Sequence, residues 1–421
     1  MKILHLSQSD IEGGAARGAY WLHNALQQAG VESQMLVASK ESHAPAVIGP
    51  SGKVRKGLQE LRCKIDGFPL SFYPDRDPLF SLSWLPNNTV KQVNSIDPDI
   101  INLHWLGLAF LTPESLAKFK QPLVWTLRDM WAFTGGCHYT GNCENYLTQC
   151  GACPALKSDK PNDISRQFWA KKFKAWQDLN FTVVTISHWL ADCAKESSIL
   201  KNKKIQVIHN ALDESKYKPM PKKIVRDILG LNPEKKIVLF GAVNATSEKR
   251  KGFQYLVTAL NKLALSGLSE NIELVVFGAS KPKNPPDLGM NVTYMGWLND
   301  DISLAILYAA ADVMIVPSLQ EAFGKTAMES LACGTPVVSF DSTGLKDIVE
   351  HQKNGYRAEC FSSEDLANGI RWVLEDEERW QALSRRSREK VEQEFTLEVQ
   401  ARTYLKLYEE ILQSSNQSVR G

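Results

Sequence analysis

Two carboxylates eight residues apart, Glu321 and Glu329, bracket the stretch with the most chemical promise, E-A-F-G-K-T-A-M-E. A loop passes into a helix there near Gly324, and Gly334 stops that helix. The helix start offers unpaired N–H groups from about Phe323 to Thr326 and the positive end of the helix dipole. Such a start suits a phosphate. A carboxylate beside it can accept hydrogen bonds from sugar hydroxyls. A second charged stretch, S-E-K-R-K-G-F, places Arg250 and Lys251 in a loop before a helix. It reads either as a pair of cations for an anionic ligand or as a solvated charge cluster. The third is C-x5-C-x6-C-x2-C, formed by Cys137, Cys143, Cys150 and Cys153, with His138 as a spare ligand. Four thiolates at this spacing could hold one structural zinc; reduced or redox-labile thiols are the alternative.

The elements that must position these groups follow from the apolar runs. Val313 to Val316 reads as a buried parallel strand, followed by a loop, the helix and a strand from Val337 to Phe340. That is one unit of a doubly wound sheet, which binds ligands at the carboxyl ends of its strands. Ile3 to Leu6 is a strand leading to Gly13 and Gly14, where backbone can approach a ligand or a neighbouring loop. Asp99 to Leu103 ends in His104 and Trp105, and Pro122 to Leu127 ends before Arg128 and Asp129. Ile237 to Phe240 precedes the Arg250–Lys251 loop. Val292 to Met295 precedes Gly296, Trp297 and Leu298. Residues 216–223, with Pro219 and Pro221, read as an exposed connector, and Leu397 to Leu412 as a last amphipathic helix.

A chain of 421 residues predicts two or three domains, and 43% hydrophobic with 23% charged residues marks an ordinary soluble protein. The net charge of +2 gives no argument for nucleic acid. The apolar run at the N-terminus is too short for a signal peptide, and the run from Ile100 to Thr112 is too short to span a bilayer. A cytosolic protein is expected, with the eight cysteines reduced and any membrane contact peripheral, at the inner face of the cell membrane. One stretch invites such contact. Lys53, Arg55, Lys56, Arg62 and Lys64 stand against Glu60, with Phe68, Phe72, Tyr73, Phe80 and Trp84 following. It suits a membrane surface or an acidic lipid-linked acceptor, or is a solvated face over core aromatics.

The E-x7-E unit, with its preceding strand and the following C-G-T-P-V-V, resembles retaining nucleotide-sugar glycosyltransferases of the GT-B class, family four. The resemblance covers nearly the whole chain, most strongly residues 205–360. It implies two Rossmann-like α/β domains facing a central cleft: residues 1–208 on the acceptor side, joined by a crossover helix at 395–415, and 209–394 binding the donor. H-N-A-L-D at the end of the first domain resembles the family's hinge motif P-N-G-V-D. By that resemblance Glu321 supports the transferred sugar, Glu329 binds the ribose, and Phe323, Gly324 and Lys325 give backbone N–H groups to sugar and phosphate. Lys251 neutralises the donor diphosphate. The family's arginine position is Ala242 here, so Arg250 is the substitute. Trp297 and Leu298 line the base pocket, and Gly14 belongs to a loop near the diphosphate. His104 is a candidate catalytic group at its strand end, whereas Arg128 stands where the family often has His.

The implied reaction moves a hexose from a UDP- or GDP-sugar to a saccharide or lipid-linked acceptor in exopolysaccharide or cell-surface glycan synthesis. It needs no metal cofactor. A similar cysteine-rich insert recurs in a subgroup linked to exopolysaccharide assembly. Two rivals remain: a GT-B epimerase acting on the nucleotide sugar, and a non-catalytic subunit of a polysaccharide complex.

Overall fold

Among the described residues thirteen short strands build two parallel sheets, whose central strands are buried on both faces beneath covering helices. The structure is a computed structural model that describes every residue except Ser51, Asn299 and Gly421. The side chains of Arg55 and of residues 416–420 also lie outside the description, so the basic segment is judged without Arg55. The chain divides into two units, Met1–His209 with Leu397–Gly421, and Asn210–Thr396.

In the first unit the elements run β1 (Lys2–Ser9), α1 (Gly13–Gln28), β2 (Glu32–Ser39), β3 (Val47–Ile48), α2 (Lys53–Gly67), α3 (Thr89–Ile96), β4 (Ile100–Leu103), β5 (Leu123–Leu127), α4 (Ile164–Trp176), β6 (Thr182–Thr185), α5 (His188–Glu196) and β7 (Lys204–Val207). The strand order is β3-β2-β1-β4-β5-β6-β7. The strand order reverses between β1 and β4, which pair in parallel, Ile3 with Ile100 and Leu6 with Leu103. One face is closed by the last helix, Leu397–Arg420, whose Tyr404 and Tyr408 are fully buried with Ile3, Leu22, Ile100 and Val124. Their hydroxyls are satisfied inside: Asn102 donates to the Tyr408 oxygen at 2.7 Å, and Thr126 and Tyr404 share a bond of 2.9 Å.

The second unit runs α6 (Lys222–Leu229), β8 (Lys236–Gly241), α7 (Phe253–Leu265), β9 (Ile272–Phe277), β10 (Asn291–Gly296), α8 (Asp301–Ala310), β11 (Val313–Val316), α9 (Lys325–Ala332), β12 (Val337–Phe340), α10 (Leu345–Ile348), β13 (Gly355–Ala358), α11 (Ser363–Leu374) and α12 (Glu377–Glu394). Its order, β10-β9-β8-β11-β12-β13, reverses between β8 and β11. Val238, Leu256, Leu274, Ile315 and Val338 centre its core.

Two expectations change here. Residues 216–223 are largely exposed, as at Lys216, Lys218, Pro219, Pro221 and Lys223, but they belong to the second unit and are not a free connector: Tyr217 is fully buried, its hydroxyl donates to Asp301 at 3.0 Å, and α6 has begun by Lys222. The lysines and prolines around it advertise exposure, while one aromatic residue does the anchoring. Of the aromatics after the basic segment, only Phe68 and Phe72 face water. Phe80 is buried with Leu70, Cys137, Cys153 and Phe168, and Trp84 packs against that cluster.

Candidate functional site

The crossing between β8 and β11 gathers the charged residues of the second unit. Gly252 begins this, because a side chain there would collide with the Pro317 carbonyl, and its φ is +72°. Glycine therefore lets the loop after β8 lie directly on the loop after β11. The two are then bonded: the Leu319 amide donates to the Arg250 carbonyl at 2.8 Å, and the Arg250 guanidinium donates to the Gln320 carbonyl at 2.6 Å.

This contact brings both cations to one carboxylate. Lys251 Nζ lies 2.6 Å, Arg250 Nη1 3.3 Å and Ser318 Oγ 3.1 Å from Glu321 Oε1. All three converge on Oε1, and among the described residues Oε2 meets no hydrogen-bond partner. Burial alone would raise the Glu321 pKa, but the Lys251 and Arg250 charges and the bonds from Lys251 and Ser318 bring it down to about 2. The group is thus a fixed anion at neutral pH. Glu248 holds the far side of Arg250 at 2.8 Å.

Beyond Glu321, Phe323 turns its ring into the interior, edge-on to Phe395 at 5.5 Å. Gly324, with φ +112°, opens α9 without a side-chain cap. Helix α9 shares this with α1, α2, α3, α6, α7 and α10, whereas α4, α5, α8, α11 and α12 are capped by Asp163, Ser187, Asp300, Ser362 and Asp376. Glu329 sits inside α9 and is 2% exposed. Lys325 Nζ is 2.7 Å from its Oε1, and the Tyr308 hydroxyl donates to Oε2 at 2.9 Å. Trp297 and Leu298 follow β10, the first exposed and the second half-buried. β10 lies three strands from β11, a span of about 14 Å at normal sheet spacing.

The β1/β4 crossing of the first unit is built differently. Gly14, exposed at the start of α1, has open space where a side chain would stand, so no local packing demands glycine there. His104 is 2% exposed: its Nε2 lies 2.9 Å from His5 Nδ1, and its Nδ1 lies 3.5 Å from Arg128 Nη2. Burial, then the Arg128 charge, holds its pKa well below the usual histidine value, and burial with His23 does the same to His5. His104, the candidate catalytic group at the end of β4, thus lies in a buried cluster with His5 and Arg128. Arg128 is buried as well, its pKa drawn to about 10 by desolvation. It reaches its place across Gly18, where a methyl would lie 2.3 Å from Nη1.

With this geometry in place, comparison with known proteins is decisive. Residues 12–216 match the family described as Glycosyltransferase Family 4, and residues 221–390 match Glycosyl transferases group 1. Sucrose-phosphate synthase from Thermosynechococcus elongatus superposes with a TM-score of 0.69, at 21% identity, over 98% of this chain and 100% of that one. The chain carries both glycosyltransferase family domains and has the fold of the GT-B glycosyltransferases. HepE of Anabaena, solved with UDP-glucose, shares the fold with a TM-score of 0.63 at 18% identity, over 97% of this chain and 100% of that one. Among relatives, the putative colanic acid biosynthesis glycosyl transferase WcaC of Escherichia coli K12 is 26% identical over 84% of this chain and 86% of its own length. An uncharacterized glycosyltransferase of Methanocaldococcus jannaschii is 29% identical over 55% of this chain, which spans only 59% of that relative.

The glycosyltransferase's four insert cysteines line one small cavity together with Phe80, Tyr146 and Ser165. Among the described residues, however, no three of their sulfurs come within 4.8 Å of one another. A closed tetrahedral zinc needs sulfurs about 3.8 Å apart, from Zn–S bonds of about 2.3 Å. The four sulfurs share the cavity without closing to that spacing. Burial also raises the Cys137 thiol and pushes Cys150 up to about 12, so both are protonated. His138 is no spare ligand, since Asp129 at 2.7 Å and Ser81 at 2.9 Å occupy its two ring nitrogens. No described helix of the glycosyltransferase is long and apolar enough to cross a membrane.

Sequence reasoning missed Ser318, Tyr308 and Thr343, whose Oγ1 accepts the Glu321 amide at 3.1 Å. Tyr308 lies in the largely apolar α8, and its hydroxyl was the one signal that could have marked it.

Proposed function

We propose that this glycosyltransferase moves a hexose from a UDP- or GDP-sugar to a hydroxyl of a saccharide or lipid-linked acceptor, with retention at the anomeric carbon. The observation that carries the reading is Lys251 and Arg250 converging on the Glu321 carboxylate at the β8/β11 crossing. Cleavage of the bond between the anomeric carbon and the diphosphate oxygen leaves growing charge on the leaving group. The two cations and the uncapped start of α9 are placed to stabilise it. Glu321, ionised down to about pH 2, has no proton to give and is a weak base. Its role is to accept hydrogen bonds from the sugar through Oε2. The acceptor oxygen bonds to the anomeric carbon on the face the diphosphate leaves, and its proton passes to the departing phosphate oxygen.

Glu329 is assigned the ribose, whose hydroxyls would displace the Lys325 ammonium from Oε1. Trp297 and Leu298 are assigned the base, at the far end of the same sheet edge. Gly14 is assigned to diphosphate approach. The relative named for colanic acid biosynthesis supports a role in cell-surface glycan synthesis.

The test is a thermal-shift series with UDP-, GDP- and ADP-sugars, followed by assay of donor hydrolysis and transfer, with the product anomer read by NMR. A ligand of the folded state raises its stability. Failure to bind or cleave any of these donors would leave the non-catalytic subunit as the better reading. Conversion of the donor sugar without an acceptor would favour the epimerase. An inverted product would remove retention.

A further inference from the structure

Helix α2 is oriented the wrong way round for an ordinary surface helix. Its polar side holds it to the protein. Asp66, 1% exposed, accepts from the amides of Ser83, Trp84 and Leu85. Arg62 donates to the carbonyls of Leu85, Pro86 and Ala109, and Lys56 pairs with Glu41 at 3.1 Å. The apolar side faces out. Val54, Leu58, Leu61, Ile65, Phe68 and Phe72 are between 46% and 77% exposed.

Their spacing of four, three, four, three and four residues keeps them on one stripe, which the short 3-10 helix Phe68–Phe72 prolongs. Over 15 helical residues the stripe is about 22 Å long. Soluble proteins scatter single exposed apolar residues and do not normally line up six of them. The flanks are basic. Lys53 and Lys64 are exposed and have no carboxylate partner among the described residues, while one of the helix's two acids, Asp66, is consumed beneath it.

An apolar stripe flanked by unpaired cations matches the boundary between headgroups and acyl chains in an anionic leaflet. We propose that α2 and the Phe68–Phe72 turn form a membrane-docking face that inserts its apolar stripe into a lipid surface containing anionic headgroups. This face belongs to the first unit and the β8/β11 charge cluster to the second, and the proposal does not depend on the donor assignment. It accounts for the exposed side chains themselves, which the basic composition of the segment did not reveal.

Co-sedimentation with phosphatidylcholine vesicles, with and without phosphatidylglycerol, tests it on the full chain. Wild-type protein should bind only the vesicles with phosphatidylglycerol, and salt should weaken the binding. Leu58→Ser, Phe68→Ser and Phe72→Ser combined should reduce partitioning at least about tenfold, given the apolar area removed. Lys53→Gln with Lys64→Gln should reduce it less and flatten the salt dependence. Donor hydrolysis and the melting temperature, unchanged in all these variants, separate failure of docking from failure of folding or of the donor assignment. The proposal is overturned if wild type ignores vesicles with phosphatidylglycerol at low salt, or if the triple variant binds as well as wild type. A concentration-dependent dimer that the triple variant abolishes would also overturn it, by giving the stripe to a second copy of the chain.

Discussion

The two sheets reverse their strand order at equivalent places and furnish them with opposite electrostatics. At β8/β11 the charges are kept: two cations share one carboxylate that burial fails to neutralise. At β1/β4 they are mostly discharged: His5 and His104 are held neutral around Arg128. A cation held by a carboxylate can turn toward an incoming anion at modest cost, because a charge partner is exchanged and not lost. A ring kept neutral by burial can take up a proton only against desolvation. The first crossing is therefore suited to meeting a charged ligand, and the second to fixing the start of α1.

The contrast breaks most visibly if Lys251 is removed. Lys251→Ala should lower turnover by about 10²–10³-fold, the cost of losing one preorganised donor to a developing anion. Arg250→Ala should cost less, because Glu248 already holds part of that guanidinium. Steady-state rates at saturating donor decide this, and near wild-type turnover in Lys251→Ala would reduce the cluster to a structural ion pair.

Acid should then separate the units. His5 and His104 bind protons near pH 6.5 when unfolded and resist them when folded. The unfolded state therefore holds more protons below that pH, and the first unit loses stability as the pH falls through and below about 6.5. Glu321 works in another window. Its pKa is depressed in the fold, so its contribution is present above about pH 4.5 and is lost only toward about pH 2. Hydrogen exchange across that range should show peptides of residues 1–209 losing protection before those of 210–396. Simultaneous loss, or the reverse order, contradicts the electrostatic contrast.

The smallest effect sharpens the donor side. Glu329→Ala should weaken nucleotide binding by about 1–3 kcal/mol, the value of a charge-assisted hydrogen bond. Calorimetric titration with the preferred nucleotide reads it, and an unchanged affinity removes Glu329 from the ribose.

Much of this was legible in the chain. Runs such as Val313–Val316 and Ile237–Phe240 announce buried parallel strands, and the glycines at 252 and 324 mark the turns that seat the charges. What stayed hidden was contact at long range. Nothing near His104 tells that His5, ninety-nine residues away, would occupy its ring, and nothing near Tyr308 tells that its hydroxyl faces Glu329. Helix periodicity likewise locates the apolar stripe of α2 but not the side on which it lies; that is decided by Asp66 and Arg62 finding backbone partners.

The last helix has a consequence for biosynthesis. It completes the unit that emerges from the ribosome first, because the partners of Asn102 and Thr126 are Tyr408 and Tyr404. Residues 210–396 are all made in between, and at about 5–20 residues per second that takes about 10–40 s. Throughout it, the first sheet has its hydroxyl partners missing and one apolar face uncovered, while the second unit is contiguous and free to close. Order of folding thus inverts order of synthesis. Nascent chains stalled after residue 396 has left the exit tunnel should yield a protease-resistant second unit and a labile first one, and equal resistance of the two would contradict this. Until the final two dozen residues emerge, the exposed half of the molecule depends on whatever shields nascent chains in the cell.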